Sequence, residues 1–221
     1  MTATKPSPTE DRRQRKARQT RDALATAACD LILERGPAAT TVEEIAERAD
    51  VTRRTFSRHF AGKEDAALDF VRRDGDRINA LLRARPAGEP PLLAYRRAVR
   101  DWLADREDPA WHVRPRMRRL LALAGTEPEL FAAYQRIRVD AQEESIRIVA
   151  ARLGIDETAR DVRPAAVVDA AAGVLIAALR LWARGGEGDS GAADLAALVE
   201  QAYDALITEA AAATPAGTIE E

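Results

Sequence analysis

Apolar residues in the segment 41–63 repeat with the period of an α-helix. Val42, Ile45, Ala46 and Ala49 are spaced i, i+3, i+4 and i+7, so they form one apolar stripe along about two helical turns. This spacing predicts a short amphipathic helix with a single buried face.

Capping residues mark the ends of two short helices in this segment. Thr41 and Glu44 match the capping box, in which the threonine oxygen and the glutamate carboxylate each bind an orphan backbone N–H. Asp50-Val51 interrupts the apolar stripe, and Thr52 is placed to cap a second helix, predicted at Arg53–Phe60. Loss of either cap is expected to cost about 1 kcal/mol of helix stability.

Helical periodicity continues through the rest of the chain, and no stretch shows the alternation typical of a β-strand. A first helix is predicted to end at Gly36-Pro37, where glycine and proline stop it. Further helices are predicted at Lys63 to about Arg83, Leu92–Ala104, about Arg114–Ala124, Pro128–Leu153, Ala165–Ala183 and Ala192–Ala213. The predicted fold class is therefore all-α, with about nine helices.

The same pattern suggests a division into domains. Residues 1–10, rich in proline and threonine and without periodicity, are expected to be disordered. Residues 11–63 would form an N-terminal three-helix domain, which the helix from residue 63 links to a second helical domain at 64–213. Residues 214–221 would form a flexible tail.

The second short helix presents a basic and polar surface. If Phe56 and Phe60, which are i and i+4 neighbours, face the core, the other side chains point outward or lie on the flanks: Arg53, Arg54, Thr55, Ser57 and Arg58. Such a helix fits the major groove of DNA, where one bidentate arginine–guanine pair discriminates by about 1–3 kcal/mol. The solvated charged face of a helical bundle is an equally good interpretation of this pattern taken alone.

Together with Ala27-Ala28, Leu31-Ile32 and Glu34-Arg35-Gly36, the segment 41–63 closely resembles the N-terminal helix-turn-helix domain of TetR-family transcriptional regulators. The matching features are Gly36, Thr40-Thr41, Ile45-Ala46, Ala49, Val51-Thr52, Thr55-Phe56, His59-Phe60 and Lys63. The resemblance implies an N-terminal DNA-binding domain followed by a ligand-binding and dimerisation domain.

It also implies residue roles. Bases would be contacted by Arg53, Arg54, Thr55 and Arg58, and phosphates by Thr41, His59 and Lys63. Ser57 belongs to the same predicted surface, but the family often has a DNA-contacting tyrosine at this position.

Charge is distributed as this interpretation requires. The 221-residue chain carries a net charge of -2, but residues 1–63 hold 13 basic and 9 acidic side chains, and residues 64–221 hold 21 and 27. Much of the basic excess comes from a basic N-terminal segment: Arg12, Arg13, Arg15, Lys16 and Arg18. Beside a helix-turn-helix, this segment is predicted to contact phosphates or the minor groove. The alternative is a solubilising surface.

The last two predicted helices are strongly apolar. Apolar residues cover more than half the circumference of the first, which therefore needs partners on two sides. An ordinary hairpin within one chain is one explanation. TetR-like proteins pair this hairpin with its symmetry mate, which would make the chain a homodimer through Val168, Ala171, Leu175, Leu179, Trp182, Leu198, Ala202 and Leu206.

Most of the few aromatic residues lie between these two regions. Tyr95, Trp102, Trp111, His112, Met117, Phe131 and Tyr134 are the candidates for a ligand pocket. They either fill a core or, as the resemblance implies, line a site for a small-molecule effector. A pocket of this composition favours an apolar or aromatic compound.

Other chemistries have no support in the sequence. Cys29 is the single cysteine, and the two histidines are too few for a zinc site. No catalytic or phosphate-loop motif occurs, so neither an enzyme nor a cofactor or metal is expected. No signal peptide is expected, since the first residues lack a basic stretch followed by an apolar one. The apolar stretch 165–179 is too short to span a membrane. We therefore expect a cytoplasmic protein.

The predicted function is that of a ligand-responsive repressor, acting as a homodimer on double-stranded DNA with a palindromic operator. The alternative is a helical small-molecule-binding or enzymatic protein that uses the helix-turn-helix only as scaffold.

Overall fold

The computed structural model describes residues 8–156, 159–184 and 192–213, and within them the chain forms ten α-helices, one short 3₁₀ helix at Trp111–Val113 and no strand. The helices are α1 Pro8–Arg35, α2 Val42–Arg48, α3 Arg53–Ser57, α4 Lys63–Ala67, α5 Asp69–Ala84, α6 Pro91–Ala104, α7 Pro115–Ala124, α8 Pro128–Arg152, α9 Arg163–Arg184 and α10 Ala192–Ala212. The all-α prediction is confirmed.

Helices α6 to α10 begin and end within two residues of their predicted bounds. Four of them have proline in their first turn: Pro91, Pro115, Pro128 and Pro164. Proline has φ close to the helical value and lacks the N–H that would find no partner there, so it marks the start of a helix in the sequence itself.

The first helix begins earlier than predicted. Pro8, Thr9 and Glu10 belong to α1, so their predicted disorder is wrong. The remainder of the predicted disordered segment, residues 1–7, and the predicted tail at 214–221 lie outside the described residues. α1 ends as expected: Gly36 has φ of 86°, and its N–H donates to the Ile32 carbonyl at 2.9 Å.

The single helix predicted from Lys63 to Arg83 is also wrong, because the chain breaks at Leu68. Its backbone (φ −94°, ψ 12°) closes α4, and α5 starts at the next residue. No proline or glycine marks this break. Leu68 is fully buried and Asp69 is ion-paired with Arg21, so tertiary contacts set the break.

The chain folds into two compact units. Unit 1 comprises the described residues up to Val71 together with Arg119–Ile137, and unit 2 comprises Arg72–Arg118 and the described residues from Arg138 onward. The first unit therefore extends past the expected boundary at residue 63 and takes in a second, distant segment. In unit 1, α1 packs against α2 and α4, and α2 packs against α3.

Unit 2 is built around α6, α9 and α10, which pack against one another. Trp102, Leu195 and Tyr203 are among its fully buried side chains. By length and composition α9 is apolar enough to cross a membrane. A core helix passes the same test, and α9 buries eight of its residues in the protein.

That burial corrects part of the predicted dimer surface. Four of the predicted residues, Val168, Ala171, Leu179 and Trp182, are buried in the core of unit 2 within one chain. The other four, Leu175, Leu198, Ala202 and Leu206, are only partly buried. The sequence pattern did not separate the two groups, because an apolar stripe has the same period whichever partner it faces.

Candidate nucleic-acid interface

The predicted capping box at the start of α2 is confirmed. The Thr41 N–H donates to Glu44 Oε2 at 3.0 Å, and the Glu44 N–H donates to Thr41 Oγ1 at 3.3 Å. A tight turn after α2 places Asp50 at φ 53°, a left-handed conformation that aspartate tolerates better than most residues. This turn leads directly into α3.

Local bonds and buried rings fix α3. Thr52 caps it, accepting the Thr55 N–H at 3.2 Å. Phe56 and Phe60 are 1% and 4% exposed, and their ring centroids lie 5.8 Å apart. The helix ends at Ser57 and not at Phe60 as predicted, because the chain tightens into a turn in which the His59 N–H bonds the Phe56 carbonyl.

The outer surface of α3 is basic, as the spacing predicted. Arg53, Arg54 and Arg58 are exposed, and Thr55 is half-buried. Arg53 Nη1 lies 2.7 Å from Glu43 Oε1 of α2, an exposed pair that solvent weakens. The Ser57 hydroxyl is also exposed and donates to the Arg53 carbonyl at 3.2 Å. The three arginines among the base-contacting candidates are therefore accessible, while Thr55 is less so.

The three predicted phosphate contacts differ in how accessible they are. Thr41 is exposed, although its hydroxyl donates to Glu44 at 2.6 Å. His59 is half-buried beside Phe60. The Lys63 ammonium is turned onto the protein, donating to the carbonyls of Pro37 at 2.7 Å and Thr40 at 3.0 Å. Lys63 thus ties α4 to the loop after α1, a role that local sequence did not reveal.

We expect Lys63→Met to lower the free energy of unfolding of unit 1 by about 1.5–3 kcal/mol, because two carbonyls lose a charged donor. Circular dichroism during thermal unfolding measures this, with Lys16→Met, an exposed lysine, as the matched control. If Lys63→Met kept the stability of the parent and weakened binding to every duplex equally, Lys63 would be a phosphate contact alone.

The basic N-terminal segment is part of a helix and not an extended arm. Its five basic side chains all lie in α1 and are exposed. Arg21, one turn further along, is only partly exposed and binds Asp69 at 2.5 Å. The positive charge of α1 is therefore presented by the part that precedes the buried side chains of this helix, which begin at Leu24.

The electrostatics around His59 oppose its protonation in the free protein. Burial lowers the pKa of His59 below its ordinary value, Arg21 and Arg58 lower it further, and Asp69 acts in the opposite direction. A phosphate contact by the charged imidazole would therefore require proton uptake on binding.

A buried carboxylate in unit 2 was missed by sequence reasoning. Asp74 accepts the Trp102 indole N–H at 3.0 Å and the backbone N–H groups of Trp111 and His112 at 3.3 and 3.1 Å. The two tryptophan groups donate to Asp74 Oδ1, and the His112 N–H donates to Oδ2, which also lies 2.5 Å from His112 Nδ1. Burial acts to raise the pKa of Asp74, but these hydrogen bonds outweigh it, and the pKa is lowered. The available signal was an acidic residue on the apolar stripe formed by Val71 and Ile78.

The predicted ligand residues do not form one cluster. Trp102, Trp111 and His112 meet around Asp74, while Tyr95 is buried near Ser145. Met117 is buried in α7. Phe131 is 43% exposed and, like the half-buried Tyr134, belongs to unit 1. Placing Phe131 in an apolar pocket is therefore wrong for this structure, because its side chain faces solvent.

A depression of about 460 Å³ does occur in unit 2, but none of the predicted ligand residues lines it. Its lining is Arg77, Ala80, Leu81, Asp101, Ala104 and Asp105. Among the described residues no group of three His, Cys, Asp or Glu side chains is placed to hold a metal ion.

Two short helices joined by a tight turn, with a basic face on the second, define a helix-turn-helix DNA-binding protein. Residues 24–67 match the family model described as bacterial regulatory proteins, tetR family, and residues 89–211 match the MftR C-terminal domain. The chain belongs to the TetR family of bacterial transcriptional regulators, whose members bind DNA.

Individual relatives agree with this assignment. The HTH-type transcriptional regulator TcmR of Streptomyces glaucescens is 40% identical over 163 residues, which is 71% of this chain and 70% of that protein.

Two solved structures share the fold. SmeT, repressor of the Stenotrophomonas maltophilia multidrug efflux pump SmeDEF, has a TM-score of 0.50 at 22% identity, covering 91% of this chain and 98% of its own. Thermus thermophilus FadR, a TetR-family repressor solved with lauroyl-CoA, has a TM-score of 0.51 at 21% identity, covering 85% of this chain and 93% of its own.

Proposed function

We propose that this protein is a ligand-responsive repressor that binds a palindromic operator in the cytoplasm as a homodimer. The observation that carries the proposal is the face of α3, where Arg53, Arg54 and Arg58 are exposed over the buried rings of Phe56 and Phe60. On that face Arg53, Arg54, Thr55 and Arg58 contact base edges. The phosphates are contacted by the basic N-terminal segment and by Thr41, His59 and Lys63. Ser57 lies at the edge of the α3 face that contacts the bases.

A homodimer is supported by the outer face of α9. Gly173, Ala177 and Leu181 lie four residues apart on the exposed side of this helix, and Leu181 is 59% exposed. A side chain added at Gly173 would meet no atom within 4 Å. Small residues beside an exposed leucine suit close packing of a second helix. Together with Leu198, Ala202 and Leu206 of α10, they form the proposed dimer surface. Leu175 lies about 200° around α9 from Gly173, on the side that packs against the core of unit 2.

A small-molecule effector is supported by unpaired polar atoms in unit 2. The Tyr203 hydroxyl and the Trp182 indole N–H are buried, and neither has a hydrogen-bond partner among the described residues. Buried polar groups normally have a partner, so each of these two atoms is a candidate contact for a polar group of an effector. The FadR complex with lauroyl-CoA is a precedent for a bound small molecule in this fold. A typical coupling between effector and DNA is about 1–3 kcal/mol.

Selection from a pool of random duplexes tests the proposal. We expect enrichment of an inverted repeat whose half-sites are centred about one helical turn, 34–36 Å, apart. Tight binding of a small molecule or turnover, with no enriched sequence, would favour the alternative in which the helix-turn-helix is only scaffold.

We expect Arg54→Ala to weaken binding to the selected operator by about 1–3 kcal/mol and to relax the base preference at one position of each half-site. Repeating the selection with the variant measures both effects. Lys16→Gln, which removes an exposed charge from α1, is the matched control and should weaken all duplexes similarly. An unchanged selected sequence for Arg54→Ala would remove Arg54 from the base-contacting set.

A further inference from the structure

Arg21 follows the basic N-terminal segment in the sequence, but its guanidinium is engaged within unit 1. Its Nε and Nη2 donate to Asp69 Oδ1 at 3.0 and 2.5 Å. Its Nη1 donates to the His59 carbonyl at 3.1 Å, and its central carbon lies 4.5 Å from the centroid of the Phe60 ring. One side chain therefore connects α1 with the start of α5 and with the turn that ends α3.

The turn after α3 needs such a connection. At five residues, Arg53–Ser57, α3 is too short to hold a helical conformation by its own backbone bonds. Thr52 caps its first turn, and Phe56 packs beneath it. At the C-terminal end of α3, the chain continues into the turn that contains His59 and Phe60. Arg21 contacts the carbonyl of His59 and the ring of Phe60. The guanidinium of arginine is planar and has five N–H donors, so one arginine can bind a carboxylate and a carbonyl and also stack on an aromatic ring.

The charge of Arg21 is balanced inside the protein. Asp69 is fully buried and is the first residue of α5. By contrast, the basic side chains from Arg12 to Arg18 are exposed on α1. Arg21 is therefore set apart from that segment by its partner and by its burial.

We propose that Arg21 is a positioning residue for sequence recognition: it holds the end of α3 in place and contributes to specificity, not to phosphate binding. This inference rests on the proposed function, since it presumes that α3 contacts bases. It predicts that loss of Arg21 misplaces Arg54 and Arg58 relative to the base edges, while the phosphate-binding charge of α1 is unaffected.

The test compares Arg21→Gln with Arg15→Gln, which removes an exposed charge one turn and a half earlier on α1. Dissociation constants are measured for the selected operator and for a shuffled duplex of equal length, between about 50 and 200 mM salt. For Arg21→Gln we expect the ratio of the two affinities to fall about tenfold, with shuffled-duplex affinity and salt slope unchanged. For Arg15→Gln we expect both duplexes to be weakened equally, an unchanged ratio and a salt slope smaller by about 1.

Arg21→Lys is a second variant, needed in case Arg21→Gln fails to fold. Lysine keeps the net charge and reaches Asp69, but its single ammonium cannot also bind the His59 carbonyl in the same fork geometry. We expect parental helicity and salt slope, with an affinity ratio about threefold lower.

His59 provides a readout without DNA. In Arg21→Gln the pKa of His59, followed by NMR, should rise, because a neighbouring positive charge is lost. In Arg21→Lys it should stay near the parental value.

Two results would overturn the inference. One is a smaller salt slope with an unchanged affinity ratio in Arg21→Gln, which would make Arg21 an ordinary phosphate contact. The other is an unchanged ratio in both folded Arg21 variants. Failure of the proposed function would be seen differently, as a parent protein that selects no sequence at all.

Discussion

Replacing Asp74 by alanine is expected to lower the free energy of unfolding of unit 2 by about 3–5 kcal/mol. The variant leaves the Trp102 indole, two backbone N–H groups and the His112 ring without their acceptor in a buried site. A domain is typically stable by about 5–15 kcal/mol, so this loss is a large fraction of the total.

Urea unfolding followed by tryptophan fluorescence measures the effect in unit 2 alone, since Trp102, Trp111 and Trp182 all lie there. Asp76→Ala, an exposed position of α5, is the matched control and should cost less than about 1 kcal/mol. An Asp74→Ala variant as stable as this control would show that the buried carboxylate contributes little.

The contribution of Asp74 should also depend on pH in a defined direction. Its pKa is lowered in the folded protein, so its stabilising effect is complete above its unfolded value, about 3.9, and is lost as the pH falls through the lowered folded value. The difference in stability between parent and Asp74→Ala should therefore be greatest near neutral pH and should shrink in acid.

The second large effect is expected at the proposed dimer surface. The double substitution Ala177→Glu/Leu181→Glu should produce a folded monomer whose affinity for the full operator is lower by at least about 100-fold. Both positions are exposed within one chain, so the protomer tolerates the change. In a dimer, the two carboxylates would be buried without partners, which is costly. The monomer would then contact only one half-site at a time.

Light scattering coupled to size-exclusion chromatography gives the oligomeric state, and fluorescence anisotropy gives operator affinity. Ala151→Glu adds one carboxylate at an exposed position of α8 and should leave the oligomeric state and the operator affinity unchanged. Affinity for an isolated half-site should be similar in parent and double variant. If the double variant remained dimeric at the same protein concentration as the parent, this face of α9 would be excluded as the dimer interface.

Local sequence rules accounted for much of the fold and for part of the candidate interface. The Thr41 capping box, the Thr52 cap and the starts of α6 to α10 depend on residues within one or two turns of each other. The orientation of α3 followed from the i, i+4 spacing of Phe56 and Phe60 for the same reason. Such features are determined by backbone geometry and helical period.

The contacts that were never predicted depend on residues far apart in the chain. Lys63 binds carbonyls 23 and 26 positions away, and Asp74 binds groups 28 to 38 positions away. Arg21 follows the basic N-terminal segment in the sequence, and only its contact with Asp69, 48 positions later, distinguishes it from the residues of that segment. The pairing partner of a charged side chain cannot be inferred from its own neighbours.

By itself, the sequence determined that the chain is all-α, where most helices begin and end, and which side of α3 faces outward. Helical period and capping are local properties, so a linear pattern contains them. Only the tertiary structure decided which apolar residues of α9 pack within the chain and which stay exposed, where the helix after Lys63 breaks, and whether each basic residue faces solvent or a buried carboxylate. These outcomes depend on which surfaces meet, and apolar stripes or charges of identical pattern are compatible with several partners.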